Sequence, residues 1–171
     1  MEKKNEQSRR GMVISGFPGI GKSTCVQMFP DIRFRDCNSA LFGWADEERT
    51  IRHPNWPENY LRYVLDGLSD ADVHFVSSHR EVREGLVCRG VPFICVYPER
   101  TSKSEYIERY RQRGESTSYI ERIEKVYDDW IADMEAQRGC VLVRLAPGEY
   151  LSDILPTLLR DPESSQLGNS R

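Results

Sequence analysis

Nine consecutive residues constrain this chain more than any others: Gly16-Phe17-Pro18-Gly19-Ile20-Gly21-Lys22-Ser23-Thr24, directly after the apolar run Met12-Val13-Ile14-Ser15. They fit the phosphate-loop pattern G-x-x-x-x-G-K-[ST], with a strand-like run before it and a helix-compatible segment after it. Glycines let the backbone turn its N–H groups inward around a phosphate chain, through φ/ψ values closed to other residues. The expected nucleotide-binding residues are Gly16, Gly19, Ile20, Gly21, Lys22, Ser23 and Thr24. Lys22 is positioned by the pattern to reach the β- and γ-phosphates, and the Ser23 hydroxyl to complete the shell of a Mg²⁺ bridging them. Thr24 falls one step into the helix, whose N-terminal dipole favours an anion. A glycine-rich turn that binds nothing is the alternative, but it leaves the placement between strand and helix unexplained. ATP with Mg²⁺ is the expected ligand pair.

Beyond the loop, short β-type runs alternate with longer helical patterns, the signature of an α/β fold with a parallel sheet. Strands are expected at Met12–Ser15, Ile32–Cys37, Val73–Val76, Pro92–Tyr97 and Val141–Leu145. Helices are expected after the loop as far as Pro30, behind Pro57, and over Arg80–Arg89, Ser102–Arg113, Ser118–Gln137 and Leu151–Leu159, the last interrupted by Pro156. A weak helical signal also covers Ala40–Thr50. The helix after Gly114 carries the clearest amphipathic stripe: Tyr119, Ile120, Ile123, Val126, Tyr127, Trp130, Ile131 and Met134. One domain is expected over residues 11–160, with polar tails at 1–10 and 161–171.

In open α/β sheets the ligand crevice lies beyond the carboxyl ends of the strands, so residues there are the candidates for chemistry. The second strand ends in Arg35-Asp36. Asp36 can face Mg²⁺ or take a proton from an acceptor hydroxyl, and Arg35 can hold a phosphate; a simple Asx turn is the plainer reading. The third strand ends in Ser77-Ser78-His79-Arg80. A serine there can bond a metal-bound water but brings no charge, or Ser78 can cap the next helix in a capping box with Glu81. Arg80 is a candidate for a substrate phosphate. Arg109 and Arg113, four apart on a helix that ends at Gly114, suit a pair of guanidinium groups clamping phosphate from a short helical lid. A solvated face paired with neighbouring glutamates is the alternative. Trp44 to Tyr60 mixes aromatic rings with Arg49, Arg52 and Asn59, which suits either stacking on a nucleobase or packing a small cap on the sheet.

Composition excludes several classes. A formal net charge of −3 argues against an indiscriminate nucleic-acid binder. No apolar segment approaches the roughly 20 residues that span a bilayer, and the first residues lack the apolar core of a signal peptide. Five cysteines, at 25, 37, 88, 95 and 140, form no C-x-x-C pair. Cys25, Cys95 and Cys140 fall in apolar helix or strand contexts, so buried free thiols in a reducing, cytoplasmic setting are the expectation.

The loop FPGIGKST, the Asp36 strand end, the acceptor region before Tyr60 and the arginine-bearing helix after the fourth strand together resemble the small P-loop kinases. That superfamily includes adenylate-kinase-like nucleoside monophosphate kinases and the kinase domain of polynucleotide kinases. PENY, FVSSH and YxxRYxxRG also look like small phage-type nucleotide kinases. The resemblance implies a three-layer P-loop NTPase fold with a five-stranded parallel sheet in the order 2-3-1-4-5. It also implies that the loop residues bind ATP–Mg²⁺ and that Arg109 and Arg113 act as lid arginines. Together with Lys22, and with Asp36 and Arg80 from the strand ends, these are the expected catalytic residues, and Ser23 and Asp36 the expected metal residues. The adenylate-kinase lid stretch D-G-x-x-R is absent, whereas Arg35-Asp36 is similar to the strand-end pair of polynucleotide kinases. The expected activity is transfer of the γ-phosphate to a nucleotide-type acceptor, most simply a (deoxy)nucleoside monophosphate. The alternatives are a hydroxyl acceptor on a polynucleotide end or a hydroxymethylated base, with Asp36 as general base, and a non-kinase ATP-binding regulatory module.

Overall fold

Five short apolar runs become five parallel strands. The computed structural model describes residues 10–161, so residues 1–9 and 162–171 of the expected tails lie outside the described residues. Strands β1 (Met12–Gly16), β2 (Phe34–Asp36), β3 (Val73–Val76), β4 (Ile94–Pro98) and β5 (Val141–Leu145) form one sheet in the order β2-β3-β1-β4-β5. Every pairing is parallel, with Ile14 opposite both Phe75 and Ile94. All side chains of β3 and β4 are buried, so both faces of the sheet centre are covered.

Six helices of the described residues supply that cover: α1 (Lys22–Met28), α2 (Glu58–Asp66), α3 (Arg80–Cys88), α4 (Lys103–Gln112), α5 (Thr117–Glu135) and α6 (Leu151–Arg160). Helix α5 buries Ile120, Ile123, Tyr127, Ile131 and Met134, spaced three and four apart. Val126 leaves the expected stripe and is 37 % exposed, because it falls on the flank of that spacing. Helix α6 runs unbroken through Pro156. A proline removes one rung there, but fully buried Leu151, Leu155 and Leu158 each gain about 2 kcal/mol from leaving water, which outweighs the loss.

Two expectations fail locally, each because a side chain takes over a backbone group. Ala40–Thr50 holds only a short 3-10 turn at Ser39–Leu41, whose Ala40 N–H donates to Asn38 Oδ1 at 3.0 Å. Beyond it the chain doubles back, with Trp44 bridging Arg52, and the Asp46 carboxylate accepts from the Thr50 and Ile51 amides at 2.9 and 2.7 Å. That carboxylate competes with the helical pattern. Ser78 does not cap α3 either: His79 is the N-cap, and Ser78 is buried with its carbonyl accepting from Arg83 Nε at 3.0 Å.

Arg83 is the largest fully buried side chain among the described residues. It ties α3 to α5 by an ion pair to Asp133 and a 2.6 Å bond from Nη1 to Gln137 Oε1. Its replacement by methionine keeps most of the volume but removes the buried partner of Asp133, Gln137 Oε1 and the Ser78 carbonyl. Among the described residues this leaves Asp133 only the exposed Arg80 and the carbonyl only a 3.4 Å bond from Trp130 Nε1. We expect Arg83→Met to lose about 3 kcal/mol in urea denaturation; a loss below about 1 kcal/mol, the ordinary worth of a single hydrogen bond, would contradict this account.

Candidate phosphate-binding cleft

Where β1 and β2 end, the loop after β1 opens into a cleft of about 530 Å³. Its shape follows from two glycines in the left-handed region, Gly19 at φ 85° and Gly21 at φ 96°. A Cβ on Gly19 would lie 2.9 Å from the Tyr110 ring. Phe17 and Ile20 are fully buried and anchor the loop from below. The Ile20 carbonyl accepts the Leu151 amide at 2.8 Å. The apolar Ile20 side chain belongs to the core, and the cleft is lined instead by Gly19, Gly21, Lys22, Ser23 and Thr24. Gly16 stands behind the lining and contributes its carbonyl.

That carbonyl accepts from Lys22 Nζ at 3.0 Å. No carboxylate pairs with the ammonium among the described residues, and desolvation lowers its pKa to about 8, with Asp36 acting to raise it and Arg113 to lower it. Asp36 lines the same cleft from the end of β2. Among the described residues its carboxylate has neither an ion pair nor a hydrogen bond. Burial pushes the nearby Cys25 and Cys37 thiols up to about 11, so both stay protonated and neither serves as a nucleophile.

Arg109 and Arg113 both reach the cleft from α4, as their spacing implies. They differ in how they are held. Arg109 is 8 % exposed, paired with Glu105, and donates to the carbonyls of Gly19 at 3.1 Å and Glu149 at 3.3 Å. Its guanidinium lies 3.7 Å from the Tyr150 ring centroid. It is thus a strut between the loop apex and the turn before α6, with only Nε–H left without a partner. Tyr110 adds a second strap, its hydroxyl donating to the Pro18 carbonyl at 2.7 Å. Arg113 has one long contact, 3.5 Å to Glu115, and a mostly exposed side chain. Of the pair, it alone keeps an exposed guanidinium at the cleft. Helix α4 therefore forms a wall clasped to the loop, and Gly114 at φ 76° ends it, with the Glu115 amide returning to the Tyr110 carbonyl at 3.1 Å.

Two other expected residues are not brought to this cleft. Arg80 leaves the α3 terminus toward α5, where it pairs with Asp133 and lies 3.7 Å from Glu84. It lines a separate groove with Cys88 and Gln137. Arg35 alternates away from Asp36 along β2, so its guanidinium lies 4.2 Å from the Tyr63 ring centroid and donates to the Tyr63 carbonyl at 3.1 Å.

The aromatic segment packs on itself. Trp56 stacks on Tyr60 with centroids 5.6 Å apart, and the Arg52 guanidinium sits 4.9 and 4.8 Å from the Trp44 and Trp56 rings. His79 stacks on Trp130 at 5.6 Å, and burial lowers its pKa, which keeps the ring neutral. Packing a cap on the sheet is the arrangement observed. Sequence reasoning missed Tyr119 and Tyr150, which also line the cleft. Tyr150 had a usable signal, since it follows the carboxyl end of β5.

These residues fit a phosphate chain with a divalent ion. The lysine ammonium has no carboxylate partner among the described residues, and a hydroxyl plus one carboxylate suits Mg²⁺, which keeps several waters and binds largely through phosphate oxygens. Among the described residues no group of three or more His, Cys, Asp or Glu side chains could hold a metal alone. No helix of the described residues is long and apolar enough to cross a membrane. Comparison with models of known families and with curated proteins finds no match.

A bound phosphate chain restores the Lys22 ammonium toward its ordinary range. Binding above pH 8 therefore takes up a proton, whereas well below pH 8 the lysine is already charged and no uptake occurs. Affinity for ATP should hold below pH 8 and fall by up to about tenfold per unit above it. Calorimetry at pH 8.5 in buffers of different ionisation enthalpy measures the uptake; a heat independent of buffer would refute the assignment.

Proposed function

We propose that this chain is a P-loop, ATP-dependent kinase that passes the γ-phosphate to a nucleotide-type acceptor. The observation that carries the reading is the Lys22 ammonium, bonded to the Gly16 carbonyl and held at the base of a glycine-shaped loop without a carboxylate partner. A lysine so placed stabilises charge on a triphosphate and has no structural ion pair to explain it. Ser23 would hold Mg²⁺, joined by Asp36 where the acceptor is a monophosphate; when bound, the ion neutralises charge on the β- and γ-phosphates. Arg113 supplies a mobile positive charge at the same mouth.

For the acceptor, the commitments of the arginines favour a hydroxyl over a monophosphate. A phosphate acceptor needs several cations beside the γ-phosphate, and with Arg35 and Arg80 spent on Tyr63 and Asp133, Arg113 is the arginine left to it. Asp36 faces the cleft uncommitted. In the hydroxyl reading it takes the acceptor's O–H proton while that oxygen attacks the γ-phosphorus. The bond from phosphorus to the β,γ-bridging oxygen breaks, and ADP leaves with the electron pair. A hydroxyl on a polynucleotide end or on a hydroxymethylated base meets this description.

Radiolabelled ATP offered with nucleosides, nucleoside monophosphates and 5′-hydroxyl oligonucleotides tests the reading. Lys22→Ala should cut transfer by about 10²–10³. Asp36→Asn should cut it by about 10²–10⁴ for a hydroxyl acceptor, and much less, with partial rescue by excess Mg²⁺, for a monophosphate. Binding of ATP without transfer to any acceptor would leave the regulatory-module alternative standing.

A further inference from the structure

The last rung between β2 and β3 is not a backbone rung. The Cys37 amide donates to the Phe75 carbonyl at 2.9 Å, so in a parallel ladder the Ser77 amide should next donate to the Cys37 carbonyl. Instead, the Tyr60 hydroxyl stands between them. It accepts from the Ser77 amide at 3.0 Å and donates to the Cys37 carbonyl at 2.6 Å. Tyr60 is fully buried, projecting from α2 with its ring against Trp56 and Phe42. The two strand ends are held one oxygen apart.

The connection continues across the sheet. The Ser77 carbonyl accepts from Ser15 Oγ, fully buried on β1, at 3.0 Å. The residue after Ser15 is Gly16, whose carbonyl holds Lys22 Nζ. A hydrogen-bonded path thus runs from the residue following Asp36, through Tyr60, Ser77 and Ser15, to the residue that seats the lysine. We propose that Tyr60 is a positioning residue that sets Asp36 at its working distance from Lys22, with Ser15 as the second link. This rests on the kinase reading above. The hydroxyl does not touch the reacting atoms; it fixes how far β2 stands from β3 where the crevice opens. A direct rung would draw Asp36 toward Ser77 and away from the geometry the cleft presents. Positioning of this kind is sensitive, because displacement by about 1 Å costs on the order of a hundredfold in rate.

The test is a pair of variants measured in two backgrounds. Tyr60→Phe keeps the ring and its packing, and Ser15→Ala breaks the same path without touching the tyrosine. With the acceptor that the radiolabel panel identifies, each should lower kcat by about tenfold to a hundredfold, with KM for MgATP within about twofold. In the Asp36→Asn background each should lower kcat by less than about threefold, because the residue being positioned is already disabled. Equal losses in both backgrounds, or a parallel loss of MgATP affinity, would overturn the proposal. Amide hydrogen exchange reads the strut without any acceptor. Tyr60→Phe should speed exchange at residues 36–39 and 76–78 and leave the phosphate loop unchanged. Unchanged exchange at those strand ends overturns the proposal even if the chain proves a kinase. Faster exchange confined there, with no transfer by the unaltered protein, leaves the strut standing and removes the kinase reading.

Discussion

A lysine ammonium that must stay charged where protein displaces its water is the constraint from which the cleft follows. Desolvation works against the charge of Lys22, and the Gly16 carbonyl offsets only part of that cost. A carboxylate in contact would neutralise the site and end its use. Asp36 instead acts across the cleft, close enough to favour the charged lysine but not bonded to it. Arg109 is neutralised by Glu105 before it reaches the loop, so its guanidinium adds rigidity more than charge. What remains at the cleft is the charge of Lys22 and Arg113, faced by Asp36.

Rigidity around that charge comes from α4. Tyr110 and Arg109, adjacent in sequence, hold the carbonyls of Pro18 and Gly19. The same arginine holds the Glu149 carbonyl, while Glu105 accepts the Gly148 amide at 3.0 Å. One helix turn therefore fixes the apex of the phosphate loop and the turn before α6 together. Phe17 completes the clasp from within, edge-on to Tyr106 and Tyr127 at 5.9 and 5.5 Å. A loop rich in glycine is costly to order, and here tertiary straps carry that cost.

The elements legible in the sequence were those set by local pattern. The strands, the loop glycines and the stripe on α5 need only alternation, spacing and φ requirements. What was not legible depends on partners distant in the chain. Arg80 reads as a crevice residue until α5 brings Asp133 against it, 53 positions later. Arg35 and Asp36 read as a pair, but strand alternation sends them to opposite faces. The segment from Ala40 to Thr50 reads as weakly helical because its helix formers are visible, whereas the loop formed by Asp46 depends on a single carboxylate collecting the Thr50 and Ile51 amides. Aromatic residues between Trp44 and Tyr60 are ambiguous by type alone. Only their mutual stacking, with Arg52 held over two indoles, shows that they build a cap.

That cap gives the crevice its width. Tyr60 enters the ladder from α2, where Trp56 and Phe42 fix its ring, so the aromatic segment reaches the strand ends through one hydroxyl. The hydroxyl lengthens a single rung, and the lengthening falls where β2 delivers its carboxylate. Ser15 then carries the register across to β1, the strand that leads into the loop. The spacing between the lysine and the carboxylate is thereby referred to three neighbouring strands of one sheet. Sites built on such elements hold their geometry more closely than sites built on loops. A transfer that asks for alignment of an attacking oxygen and little covalent help gains most from that arrangement.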